Sequence, residues 1–188
     1  MSTRTDLLAS AESLLRTKGY AAFSYADLAH IIGISKASIH HHFPTKEKLG
    51  VAIVENYIFR FCKRLEQIDQ ESESAVQRLI AFSALFRESR DASLLPLCGA
   101  LAAEIAVLPD SLRKLTKGFF ELHLRWVEDT VKLGQEEGEI KTSQGLKPLS
   151  RTILNFLEGE AFVSWAIQED SSSENSFECF LSGFTKHS

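Results

Sequence analysis

SYADLAHIIGISKASIHHHFPTKEKL, running from Ser24 to Leu49, sets two short apolar-periodic segments around a Gly33-Ile34-Ser35 turn. It then breaks at Phe43-Pro44 and restarts as a helix. Ser24 with Asp27 reads as a capping box ahead of Leu28, Ala29 and Ile32. Gly33 supplies the tight turn, and Ser35 can cap a short helix carrying Lys36 to His42. Pro44 ends that helix, and Thr45 caps a long one running to about Asp69. This is the layout of a helix-turn-helix, which lays its second helix in the DNA major groove.

Outward from that stretch the chain reads as almost entirely helical. Leu7, Leu8, Ala11, Leu14 and Leu15 form one apolar stripe, closed by Gly19 as a C-terminal cap. The helix after Pro44 carries Leu49, Ile53, Tyr57, Phe61 and Leu65, with Val51, Ile58 and Phe59 beside them, as a connector between packed bodies should. Further helices are expected over Ser74–Arg90, over Leu97–Leu108 ahead of Pro109, and from Asp110 to about Gly134. A polar loop spans Glu137–Gly145. Pro148 suits the first turn of the next helix, which stays apolar from Leu149 to Ile167. A serine-rich turn, Asp170–Ser176, precedes a last helix with Phe177, Phe180, Leu181 and Phe184 at i, i+3, i+4 and i+7.

Composition narrows the function. Of 188 residues, 44% are hydrophobic, which fits a folded protein. No apolar run approaches the ~18 residues that span a bilayer, so no membrane partner is expected. The N-terminus lacks the parts of a signal peptide, which implies the cytoplasm. Cys62, Cys98 and Cys179 are odd in number and widely spaced, against a disulfide framework or a zinc site. Residues 1–50 carry a net charge of +2 on a chain whose total is −4. A mildly basic head on an acidic body suits a DNA reader. No G-x-S-x-G, H-E-x-x-H or phosphate-binding glycine loop is present, and His123 with Glu121 at i, i+2 face apart. An enzyme, a cofactor and a metal are therefore not expected. Adjacent histidines at 40, 41 and 42 point ~100° apart on a helix and do not converge on an ion.

The head resembles the TetR family of bacterial transcriptional regulators. The resemblance rests on Leu28-Ala29, Gly33-Ile34-Ser35-Lys36, Ser38-Ile39, His42-Phe43, Pro44-Thr45-Lys46-Glu47 and Leu49. It implies that Lys36, Ala37 and Ser38 reach base edges from the start of the recognition helix, beside Ser35. Lys46 and the helix it opens would hold a phosphate, with Ser24, Tyr25 and His42 as further contacts. Where the family has an aromatic phosphate-binding tyrosine, this chain has His40. A histidine there binds phosphate best when protonated, so affinity should fall as the pH rises.

The resemblance also implies a body that binds a small inducer and pairs with a second copy through its last two helices. A dimer is required on physical grounds too, because one recognition helix reads too few base pairs to select a site. Pocket candidates are Phe82, Phe86, Phe119, Phe120, His123, Trp126, Asn155 and Trp165. Dimer-face candidates are Phe156, Phe162, Phe177, Phe180 and Phe184. Leu97, Gly99, Leu101, Ala102, Glu104, Leu112 and Arg113 match a pattern of relatives that sense electrophiles through a cysteine. That cysteine falls on Pro96 here, and Cys98 lies ~200° further around a helix.

The expectation is an all-α chain of about nine helices: a helix-turn-helix DNA-binding domain over residues 1–46, and a ligand-binding and dimerisation domain over 47–188. By resemblance it is a homodimeric repressor, released from palindromic operator DNA by a small hydrophobic or amphipathic inducer. The alternatives are a DNA-binding dimer without a small ligand, or a thiol-based sensor acting through Cys98.

Overall fold

The computed structural model describes residues 3–168 and 176–185, and the turn expected over Asp170–Ser176 lies outside them except for Ser176, which opens the last helix. Among the described residues there are nine helices and no strand. They are α1 (Thr3–Lys18), α2 (Tyr25–Ile32), α3 (Lys36–His42), α4 (Lys46–Glu71), α5 (Ala75–Asp91), α6 (Leu97–Ala103), α7 (Asp110–Glu136), α8 (Leu146–Ile167) and α9 (Ser176–Ser182). No described helix is long and apolar enough to cross a membrane.

The chain divides into two compact units. The first is the chain up to Phe61 together with Leu94–Phe119. Leu7, Ala11 and Leu15 of α1 are fully buried, as are Leu28 of α2, Ile39 of α3 and Leu49 of α4. The apolar stripe read from α1 is therefore its core face, apart from Leu8, which is half-buried. Leu97 and Leu101 of α6 complete the same core, and α1 packs on both α2 and α6. Arg16 ties these parts together. Its Nε donates to the Leu95 carbonyl at 2.7 Å, and its guanidinium lies over the Tyr57 ring. Burial pushes the Tyr57 phenol up to about 12.

One expected helix is shorter than its pattern. The run Leu97–Leu108 stays helical only to Ala103, and turns lead on to Pro109. Glu104 leaves the helix at φ −108° and ψ 17°. Its carboxylate accepts the backbone amides of Tyr20 and Ala21, just past the end of α1. A charge-assisted bond to an amide that α1 cannot satisfy outweighs one more helical turn.

The second unit is Cys62–Ser93 with Phe120 onward. Here α5 packs on α8 and α9. Phe82 stacks on Trp126 with centroids 5.1 Å apart and meets the His123 ring at 5.6 Å. Arg64 grips Glu88 through two hydrogen bonds, of 2.9 and 2.6 Å. Phe156 stacks on Phe180 at 4.6 Å, holding α9 against α8. α9 ends at Ser182, so Phe184 lies beyond it, in a turn whose carbonyl accepts the Lys141 amide.

Candidate nucleic-acid interface

Short polar side chains cap the starts of both helices of the helix-turn-helix, and a glycine ends the first. The Ser24 hydroxyl accepts from the Ala26 and Asp27 amides, and Asp27 Oδ2 accepts the Ser24 amide at 2.7 Å. These bonds from Ser24 hold the Asp27 carboxyl below the usual carboxylate range. Gly33 sits at φ +75°, a left-handed conformation that costs glycine nothing. Ser35 caps α3 through the Ser38 amide at 3.2 Å, and its hydroxyl lies 3.1 Å from that of Ser38.

α3 is seated by one buried side chain, Ile39, while Lys36, Ala37, Ser38, His40, His41 and His42 are all exposed. Among the described residues Lys36 forms no ion pair or hydrogen bond, so its ammonium is available to an incoming partner. Its neighbours are a methyl group and a hydroxyl. That set matches guanine acceptors, a thymine methyl and an adaptable polar edge.

His40 is held by two groups. Its ring meets Tyr25 edge-on at 4.8 Å, and its Nδ1 lies 3.3 Å from the Pro44 carbonyl oxygen. Tyr25 in turn donates its hydroxyl to the Phe43 carbonyl at 2.7 Å, and burial lifts its phenol to about 12. Tyr25 is thus a neutral donor that is spent on the backbone, rather than the outward phosphate contact expected of it.

Lys46 also has a different employment from the one expected. Its ammonium donates to the carbonyls of Phe23 at 2.5 Å and Ala21 at 3.3 Å. It lies 4.8 and 4.5 Å from the Tyr20 and Phe23 ring centroids. Desolvation by that packing lowers its pKa. The side chain clamps the loop before α2 onto α4, and what it leaves for a phosphate is the backbone of the α4 first turn. Among the described residues no three histidine, cysteine or acidic side chains could share a metal ion.

Of the pocket candidates, Phe82, Phe86, Phe120, His123 and Trp126 gather in one ring cluster of the second unit. Phe119 packs on Tyr57 and Phe61 in the first unit, whereas Phe120 belongs to the second. Phe82, His123 and Trp126 form a tight cluster in which the Trp126 indole donates to Asp69 at 3.1 Å. Asn155 and Trp165 are exposed on α8. Only Phe86 of the set lines the cleft described below.

The dimer candidates divide as well. Phe177 is fully buried inside its own chain and cannot meet a partner. Phe156 and Phe180 are spent largely on one another, and Phe162 and Phe184 are half-buried. The open face of α8 is instead Gly159, Val163, Ala166 and Ile167, at i, i+4, i+7 and i+8, with Val163 60% and Ile167 62% exposed. That spacing is legible in the sequence, where the neighbouring aromatics are the larger apolar signal. Cys98, the thiol-sensor candidate, is completely buried in the first turn of α6, as a small apolar residue would be.

Comparison with known proteins agrees with this geometry. The family model described as bacterial regulatory proteins, tetR family, matches residues 7–53. The nucleoid occlusion factor SlmA of Marinobacter nauticus is 30% identical over 151 residues, which cover 78% of this chain and 72% of that protein. The HTH-type transcriptional regulator CymR of Pseudomonas putida is 31% identical over 139 residues, 71% of this chain and 68% of that one. The crystal structure of a TetR-family transcriptional regulator from Agrobacterium tumefaciens superposes with a TM-score of 0.91 at 25% identity, over 97% of both chains.

Proposed function

The chain belongs to the TetR family of bacterial regulatory proteins and is a DNA-binding transcriptional regulator, and from that premise we propose that it is a homodimeric repressor released from a palindromic operator by a small molecule. The observation that carries the proposal is the row Lys36-Ala37-Ser38, exposed at the start of a helix whose position is fixed by the Ser35 cap and buried Ile39. Ser35, His40 and His42 flank that row and contact phosphate, and residues 1–46 form the DNA-binding domain. Residues 47–188 form the ligand-binding and dimerisation domain, in the cytoplasm where the operator is.

The exposed apolar stripe on α8 supports the dimer. Two heads carried by paired copies meet successive major grooves, about 34 Å apart on B-DNA. α4 runs without interruption from Lys46 at the head to Glu71 in the body. A ligand that displaces the C-terminal part of α4 therefore changes the spacing of the heads, and ligand and operator oppose each other reciprocally.

The test is a labelled duplex carrying the palindrome upstream of this gene, titrated with the protein and then with a metabolite panel. The reading expects salt-dependent binding, lost when the palindrome is scrambled and reversed by at least one metabolite. Binding that ignores the scrambled half-sites would overturn it. The likeness to a nucleoid occlusion factor favours a second reading, a DNA-binding dimer without a small-molecule ligand. Specific operator binding that no metabolite reverses would select that reading.

A further inference from the structure

The second unit holds a half-open cleft between α5, α8 and α9, about 370 Å³ counted out to its mouth. Its polar wall is cationic. Arg87 and Arg90 stand one turn apart on α5 and both line it. Glu160 of α8 is the sole carboxylate among its described lining residues, and it is already engaged. Its Oε1 accepts the Ser176 hydroxyl and lies 3.8 Å from Arg90 Nη1. Arg87 donates to the Ser83 hydroxyl at 3.3 Å and has no carboxylate partner among the described residues. Among the described lining residues the wall thus carries one positive charge in excess, on the half-buried Arg87 guanidinium. The apolar wall is Phe86 and Phe177, both buried.

We propose that this cleft binds a small organic anion, a carboxylate on a compact apolar or aromatic body. Arg87 supplies the main carboxylate contact, Arg90 adds a second, and Phe86 with Phe177 flank the body. A guanidinium presents a planar fork that matches a carboxylate, and partial burial strengthens the bond. The cleft faces Leu157, Ala161 and Ser164 of α8, while Gly159, Val163 and Ala166 look out from the opposite side of the same helix. One helix thus carries the anion on one face and the proposed dimer contact on the other. The inference names the ligand class of the regulator proposed above and rests on that reading for its effect at DNA.

The experiment is calorimetric titration of the full chain, without DNA, with benzoate, phenylacetate and hexanoate, each against its neutral amide. At least one carboxylate should bind about tenfold or more tightly than its amide, and Arg87→Gln should remove that advantage. Arg87→Lys keeps the charge but not the fork, so it should fall between the two and keep the test open if the glutamine variant folds poorly. If no carboxylate outbinds its amide, or if both variants bind as the parent does, the inference is wrong. Operator binding measured on the same samples separates the two readings. A chain that binds operator but discriminates no carboxylate from its amide loses this inference alone, and one that binds carboxylate but no operator loses the regulator reading alone.

Discussion

The Glu104 carboxylate accepts the Tyr20 amide at 2.5 Å and stands 2.7 Å from where a Cβ on Gly19 would lie. Gly19 is at φ +88°, so α1 ends in a left-handed turn that leaves its next amides facing α6. Any side chain there meets both a backbone penalty and the carboxylate. Gly19→Ala should cost about 1–3 kcal/mol, and Glu104→Ala a similar amount. Chemical denaturation should find the double variant less destabilised than the sum, because either change alone already breaks the contact. Strict additivity would show that the two residues do not act together.

The same pair explains what the sequence could and could not reveal. The head was legible because its signals are local: Ser24 with Asp27, Gly33, and Ser35 each act within three residues of themselves. Glu104 was not, since the amide that draws it out of its helix is 84 positions away. The carbonyl contacts of Lys46 were hidden for a similar reason. Its place at the start of α4 suggests a phosphate contact, but the carbonyls it reaches belong to the α1–α2 connection. On α8 the composition showed two apolar faces without saying which was inside, and the packing of α5 against Leu157 and Ala161 decides it.

Lys36 and Lys46 should therefore respond in opposite ways. Lys36→Ala should weaken operator binding by about 10- to 100-fold and relax discrimination, with the melting temperature unchanged. Lys46→Met should lower stability by about 1–3 kcal/mol through the lost carbonyl and ring contacts. The slope of log affinity against log salt should then stay at the parent value for Lys46→Met. A slope reduced by about one would return Lys46 to the phosphate contacts.

His40 lies against Tyr25 with Nδ1 toward the Pro44 carbonyl, so its other nitrogen is the one free to meet DNA. His40→Phe keeps a ring against Tyr25 and removes that nitrogen, so operator affinity should fall about 3- to 10-fold with the melting temperature unchanged. An affinity equal to the parent's assigns the phosphate contact elsewhere, with His41 and His42 the neighbours to exchange next.

Glu158 is a buried carboxyl whose Oε2 has no hydrogen-bond partner, and desolvation raises its pKa from 4.5 to about 7. In the unfolded chain it ionises at its ordinary value, while in the folded chain it stays protonated longer. The folded state therefore binds the extra proton, and stability falls as the pH rises from about 4.5 to about 7, then levels off. Glu158→Gln keeps the shape without the charge. It should add about 2–3 kcal/mol at about pH 8 and almost nothing near pH 4, read from urea unfolding at each pH. An equal gain at both would trace the effect to packing instead of ionisation.

The α8 face offers a substitution that separates folding from pairing. A Cβ built on Gly159 meets nothing within 4 Å, so a side chain there is accommodated within the chain itself. Val163 is one turn away and largely exposed, so the two residues share an outward surface. If that surface is the dimer contact, Gly159→Arg should leave helical content unchanged while placing a charge where a partner helix must approach closely. Sedimentation velocity should show the dimer giving way to monomer, and operator affinity should fall by about 100-fold or more as paired half-site contacts are lost. Val163→Asp should do the same by desolvation. A dimer that persists in both variants would move the contact off this face, onto the exposed side of α4 around Phe59, which is 62% exposed.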